Sequence, residues 1–338
     1  MTDLNPAPLI SLATSYWNSA TLIAAIKLGV FDAISQGSET PESISTSIGA
    51  DEGATEALLI ALITLELVER REERYYNTAL AQQFLVSDQP TALNKALLYN
   101  ADVYPLWGQL DEVIRRGDTA RDPDTYLGKD EGYTRRFVYG MHHRALGVGR
   151  AVSAVINLEG ATRLADIGGG PGTYSALLTQ KHPQLSADVL DLPAVVNVAQ
   201  EIVAGMNASD RVSCRAYDYY QDRLPDESYD AALISGVLHR EQPSKVQAMF
   251  AEVASRLPVG GRLWISDVML NDERTGPLFS AMFALNMRAL AHHGRCHSVA
   301  EQRQWLEEVG FTVISTHQLP PPINYTLICA ERVEEERS

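Results

Sequence analysis

Apolar residues recur at helical spacing from about residue 8 to residue 100, as in Leu22, Ile23 and Ile26 followed by Val30, Phe31 and Ile34. Two short amphipathic helices are predicted over 43–48 and 54–67. The first is opened by Thr40-Pro41-Glu42, where a proline with its φ already set for the first turn makes a good helix start. Next comes Val68-Glu69-Arg70-Arg71-Glu72-Glu73-Arg74-Tyr75-Tyr76-Asn77, two short runs around a charged turn, which predicts a hairpin. Helices followed by a small hairpin form a winged-helix pattern. Residues 101–160 continue at helical spacing and carry Trp107, Phe137, Met141 and the adjacent His142 and His143.

The period changes near Gly160. Short β-branched runs then alternate with helical stretches, at 163–167, 187–190, 212–216, 231–235, 262–268, 311–316 and 325–330. Strands separated by helices predict a mostly parallel sheet covered on both faces. Only a Pro-rich loop joins the last two strands, so they are expected to pair antiparallel at one edge. The fold class is therefore α/β, a Rossmann-like sheet with an antiparallel C-terminal edge strand behind a mainly helical, winged-helix-like N-terminal domain. We divide the chain into 1–100, a helical linker at 101–160, and 161–338.

With 338 residues the chain can bury two cores without covalent staples. Its three cysteines, Cys214, Cys296 and Cys329, are far apart and form no metal-ligand spacing, so neither disulfides nor a metal is expected. His142, His143, His292 and His293 lack the i, i+4 arrangement of a metal site, and neighbours on a helix are expected to point apart. The N-terminal stretch lacks a basic start and apolar core, and no apolar run approaches a membrane span. A cytoplasmic protein without a membrane partner is expected. The net charge of −15 argues against a phosphate-backbone partner. So does the winged-helix region itself, since residues 35–61 hold Glu39, Glu42, Asp51, Glu52 and Glu56 but no Lys or Arg. Dimerisation or a substrate lid suits that region better than DNA.

The strongest chemical signal is Asp166-Ile167-Gly168-Gly169-Gly170-Pro171-Gly172, a strand running into a glycine-rich turn and then a helix. Open α/β sheets bind ligands at this position, and glycines let the backbone approach them closely. The spacing is G-x-G-x-G, and no Gly-Lys-Ser/Thr follows, so neither a dinucleotide nor a nucleoside triphosphate is indicated. Asp166 would repel a pyrophosphate and suits a cation. S-adenosylmethionine, with an ammonium and a sulfonium, meets that requirement. Asp191, in Leu190-Asp191-Leu192-Pro193, ends the next strand, where an acid would bond ribose hydroxyls. Asp218 and Tyr219 follow the third strand, placed either to meet adenine or simply to form a turn. Ser235 ends the fourth strand and faces the same crevice.

These residues resemble the S-adenosylmethionine-dependent small-molecule O-methyltransferases of the plant caffeic acid and bacterial polyketide type. The resemblance runs through Leu28-Gly29-Val30-Phe31-Asp32, the glycine turn, Asp191-Leu192-Pro193, residues 231–239, Gly260-Gly261-Arg262 and Trp305-Leu306-Glu307-Glu308-Val309-Gly310-Phe311. It implies a class I methyltransferase sheet and a homodimer formed through the N-terminal domain. It places Asp166, Gly168 and Gly170 at the methionine end of the cofactor, Asp191 and Leu192 at the ribose, and Asp218 with Tyr219 at the adenine. It makes His239 the general base, supported by Asp267. The family's second supporting glutamate falls at Cys296, which cannot polarise a histidine in the same way. Arg240-Glu241 stand where relatives often have Asp-Trp or Asp-Tyr.

Methyl transfer from a sulfonium is an in-line displacement, so alignment and exclusion of water do most of the work. A protonated phenol or enol is a weak nucleophile, and an imidazole can take its proton as the bond forms. The small-molecule acceptor is expected among Trp107, Phe137, Met141, Asn286 and Met287. Each of these residue types also suits a plain core position. Two other chemistries remain open: a cofactor-binding relative that does not transfer the methyl group, and N-methylation, which needs no base.

Overall fold

The computed structural model describes residues 4–334, so the outermost ends of the first and last expected domains lie outside the described residues. The chain separates into two units, one ending at Val103 and the other beginning at Tyr104. The helices of the expected linker thus belong to the second unit from residue 104 onward.

The first unit contains α1 (Ala7–Thr14), α2 (Tyr16–Leu28), α3 (Val30–Ser35), α4 (Pro41–Ile48), α5 (Glu52–Thr64), a hairpin of β1 (Val68–Arg71) and β2 (Arg74–Asn77), and α6 (Ala79–Phe84). Helix α7 (Asn94–Trp107) crosses the division. Local chemistry sets the boundaries. Gly29 stops α2 in the left-handed conformation, and Thr40 and Ser43 form a reciprocal capping box on α4. Asp51 caps α5 by accepting from the Ala54 N–H at 2.8 Å. The hairpin pairs Val68 with Asn77 through Arg71 with Arg74. Phe31, Ile44, Leu59, Leu62 and Tyr75 form the core of this unit. The expectation that no apolar run approaches a membrane span needs correction. Residues Ala7–Leu28 reach that length and apolarity by composition alone, and Leu9, Ile10, Leu12 and Trp17 are more than half exposed. Scattered Ser, Thr and Asn positions hid this run from a reading of periodicity.

The second unit contains α8 (Leu110–Arg116), α9 (Glu131–Val155), β3 (Arg163–Ile167), α10 (Thr173–Lys181), β4 (Ser186–Asp191), α11 (Pro193–Gly205), β5 (Val212–Ala216) and β6 (Ala231–Ser235). It continues with α12 (Pro243–Arg256), β7 (Arg262–Asp267), α13 (Leu278–Leu290), α14 (Val299–Glu308), β8 (Phe311–Gln318) and β9 (Thr326–Arg332). The seven strands order as β5-β4-β3-β6-β7-β9-β8. Alternation along β3 explains the layers. Leu164 joins a core with Val152 of α9 and Leu178 of α10, whereas Ala165 and Ile167 join one with Phe250 of α12 and Leu306 of α14. Fully burying each such Leu or Ile contributes about 2 kcal/mol.

The C-terminal pair lies at one edge and pairs antiparallel, as expected, with one refinement. The antiparallel strand is β9, inserted between β7 and β8, and β8 is the outermost. Residues 326–330 are buried throughout, which suits an interior strand. Strand β8 alternates buried or partly buried positions with exposed ones until its exposed end, which suits an edge. The order reverses between β3 and β6, leaving a crevice at their carboxyl ends, where ligands of open α/β sheets bind.

Candidate active site

Four strand ends border this crevice: the glycine turn after β3, Asp191 at the end of β4, Ser235 at the end of β6 and Asp267 at the end of β7. Gly168, Gly170 and Gly172 all adopt positive φ. At Gly168 the reason is also steric, because a Cβ there would lie 2.6 Å from Val237 Cγ2. The turn therefore packs directly on the segment leading to His239.

Asp166 lies beneath the turn and is 1% exposed. Its Oδ2 accepts from the Ser175 hydroxyl at 2.6 Å, while Oδ1 is buried without a partner. Burial pushes its carboxyl up to about 7; the Ser175 bond opposes this and the nearby Asp191 charge adds to it. Asp191 clamps the turn: Oδ2 accepts from the Gly170 N–H and Oδ1 from the Leu192 N–H, each at 2.7 Å. Burial also raises the Asp191 carboxyl, against these two N–H donors and the Arg240 charge. A buried acid with one oxygen lacking a donor, beside a second, partly buried acid, suits a cationic ligand. This donor set fits the methionine and ribose portions of S-adenosylmethionine.

Asp218 spends both carboxylate oxygens locally, accepting from Tyr220 N at 2.9 Å and Gln221 Nε2 at 2.7 Å. The turn-forming role is therefore present. Tyr219 donates its hydroxyl to Glu241 Oε1 at 2.7 Å, and Tyr220 donates to Glu241 Oε2. Glu241 is buried only two residues beyond His239, so it ties the Asp218 turn to the His239 loop. Sequence reasoning missed this role, because a lone acid in a loop carries no period or spacing. Tyr174 was missed for a similar reason: it sits on α10, its phenol pushed up by burial.

His239 lies in a single 3-10 turn, Leu238–Arg240, just past β6. Its Nδ1 is 2.5 Å from Asp267 Oδ1, and its backbone N–H donates to Asp267 Oδ2 at 3.3 Å. A buried carboxylate facing Nδ1 holds the proton on that nitrogen and leaves Nε2 as the acceptor. The Phe283 ring stands edge-on to the imidazole at 4.9 Å, and Arg144 lies over the Phe283 ring. Cys296 is fully buried, its thiol raised first by burial and then by the Asp267 charge. It offers no carboxylate to the imidazole.

Of the acceptor candidates, Trp107 Nε1 donates to Asn286 Oδ1 at 2.9 Å, joining residues 179 positions apart. Phe137 packs 4.8 Å from the Tyr126 ring and shares an apolar cluster with Leu192. Met141 is partly buried on α9. Met287 is buried at 5% exposure in the body of α13. The adjacent histidines do not point apart as expected. Their rings lie 5.2 Å from each other, and His142 Nδ1 is 2.8 Å from Thr173 Oγ1 at the start of α10. The Thr173 bond draws His142 back toward its neighbour. Burial, then the His143 charge, lowers the His142 imidazole to about 4. Among the described residues no group of three His, Cys, Asp or Glu is placed to hold a metal.

Comparison with known proteins agrees with this architecture. An O-methyltransferase domain matches residues 120–312, and an O-methyltransferase dimerisation domain matches residues 10–87. The chain is 32% identical to a 3-hydroxy-5-methyl-1-naphthoate 3-O-methyltransferase of Streptomyces sahachiroi, covering 94% of this chain and 92% of that one. It is 28% identical to the N,N-dimethyltransferase OxyT of Streptomyces rimosus, covering 95% of each. The fold superposes on the crystal structure of human N-acetylserotonin methyltransferase in complex with SAM with a TM-score of 0.86, at 24% identity, covering 99% of this chain and all of that one. With a catalytic-domain match over more than half its length and a dimerisation-domain match before it, the chain belongs to the O-methyltransferase family, whose methyl donor is S-adenosylmethionine.

Proposed function

We propose that this enzyme methylates a hydroxyl of a small aromatic or polyketide-like metabolite, with His239 as general base. The observation that carries this reading is the His239–Asp267 pair at the mouth of the crevice. S-adenosylmethionine, when bound, supplies an electrophilic methyl group. The chain's residues do the rest. Gly168 and Gly170 admit it, Asp166 balances its charge, Asp191 holds its ribose, Leu192, Asp218 and Tyr219 flank its nucleoside, and Ser235 borders the crevice. Asp267 keeps the proton on Nδ1, so Nε2 accepts the acceptor's hydroxyl proton, and the imidazolium that forms is stabilised by the same carboxylate. Trp107, Phe137, Met141, Asn286 and Met287 would hold an aromatic ring. The relative acting on a naphthoate hydroxyl supports this acceptor class. The dimerisation-domain match supports a homodimer assembled through the first unit.

The test uses methyl-labelled cofactor and a panel of phenols, naphthols and amines, with the wild type, His239→Ala and Asp267→Asn. The expected result is a labelled ether whose formation falls roughly a hundred- to ten-thousand-fold in His239→Ala, and by less in Asp267→Asn, with cofactor affinity preserved. Unimpaired transfer in His239→Ala would remove it as the base. Labelled amines alone would favour N-methylation, which the OxyT likeness keeps in view. Tight cofactor binding with no labelled product at all would point to non-methylating chemistry.

A further inference from the structure

Basic residues are outnumbered in a chain with 28 Lys and Arg against 43 Asp and Glu, yet three guanidinium groups converge on one cavity. Gln242, Arg274, Arg288, His293, Gly294 and Arg295 line a space of about 370 Å³, and none of these is acidic. Gly294 makes the convergence possible. A Cβ there would lie 1.9 Å from the Met287 carbonyl oxygen, so only glycine lets the chain fold back on the end of α13 and bring Arg288, His293 and Arg295 to one wall.

The cations are unequally neutralised. Arg274 pairs with Glu301 at 3.0 Å, and Asp118 is taken by the neighbouring His292 at 2.8 Å. Arg288 donates only to neutral carbonyls, of Gly117 at 2.8 Å and His292 at 3.3 Å, and has no ion pair among the described residues. Arg295 donates its backbone N–H to the His239 carbonyl at 2.8 Å, while its side-chain Nε is buried and has no partner. A concave wall of like charges concentrates positive potential, and a guanidinium fork matches the two oxygens of a carboxylate or phosphate.

We propose that this cavity binds a small molecule bearing a carboxylate or phosphate group, held by Arg288 and Arg295. The Arg295 backbone bond and the position of Gln242 place the site against the His239 loop. The anion is therefore either an arm of the methyl acceptor or a separate small oxyanion beside it. The site stands independently of the role of His239.

Isothermal titration of the full-length protein with 1-naphthoate, inorganic phosphate and the uncharged 2-naphthol tests this directly, in the wild type, Arg288→Ala and Arg295→Gln. Anion binding should weaken about tenfold or more in each variant and fall as salt is raised, while any binding of 2-naphthol stays unchanged. Arg295→Lys, which keeps the charge but not the fork, should recover part of the loss, and thermal unfolding of each variant separates lost binding from lost folding. Binding of naphthoate without phosphate assigns the site to an aromatic acid. Phosphate that displaces naphthoate assigns it to small oxyanions generally, and either upholds the site. No anion binding to the wild type up to about 5 mM, or binding equal in well-folded variants, overturns it.

Discussion

Asp166 sets an ionisable carboxyl against a fully buried setting. Its folded-state carboxyl, near 7, lies above the ordinary value of 3.8, so the protonated form is favoured by folding. The stability linked to this proton is fully present below about pH 4 and is lost as the pH rises through 7, at most roughly 4 kcal/mol. Thermal unfolding of the ligand-free protein from pH 5 to 8 should therefore decline more steeply in the wild type than in Asp166→Asn. The variant should also bind the cationic cofactor more weakly. Parallel stability profiles would show that Asp166 is already relieved by another partner. Residue type and strand position were enough to mark Asp166 as a candidate beside the glycine turn. They were not enough for Glu241, whose importance rests on two tyrosine hydroxyls brought to it from another loop. Glu241→Gln keeps both acceptors' geometry only in part. It should raise the apparent KM for the cofactor more than it lowers kcat, measured with the preferred acceptor, whereas an effect on kcat alone would place Glu241 in the chemistry.

At the scale of elements, the glycine turn combines two distinct constraints. Gly168 needs both positive φ and an absent Cβ, since Val237 occupies that space; Gly170 needs only the backbone conformation, with open space beside it. Gly170→Ala should cost about 1 kcal/mol, and Gly168→Ala more, with displacement of Val237 and weakened cofactor binding. Denaturant unfolding and calorimetric titration with S-adenosylhomocysteine check the order, and equal costs would mean Val237 moves freely. Strand positions were legible because apolar runs and turns are local: 163–167, 212–216 and 231–235 coincide with β3, β5 and β6. That local pattern left open which of β8 and β9 lies inside the sheet, although the continuous burial of 326–330 against the alternation in β8 contained the hint.

At the scale of the whole molecule, Leu9, Ile10, Leu12 and Trp17 leave an apolar surface on α1 and α2, within or beside the dimerisation-domain match at 10–87. A folded chain rarely leaves such a surface bare. The wild type should elute as a homodimer in light-scattering chromatography, and Leu9→Glu with Trp17→Glu should shift it toward monomer. A dimer unaffected by both charges would place the interface elsewhere. The alternation of strands and helices, the glycine turn and the acids at the strand ends were all legible in the sequence, because backbone propensity and side-chain period act over a few residues. Long-range packing settled that Asp191 clamps Gly170, that Trp107 bonds Asn286 and that three arginines share one cavity, and it supplied the contact between Asp267 and His239, 28 residues apart, that the resemblance implied. Those pairings depend on which strand lies beside which and how far each loop folds back, and long-range packing, which no local pattern encodes, sets both.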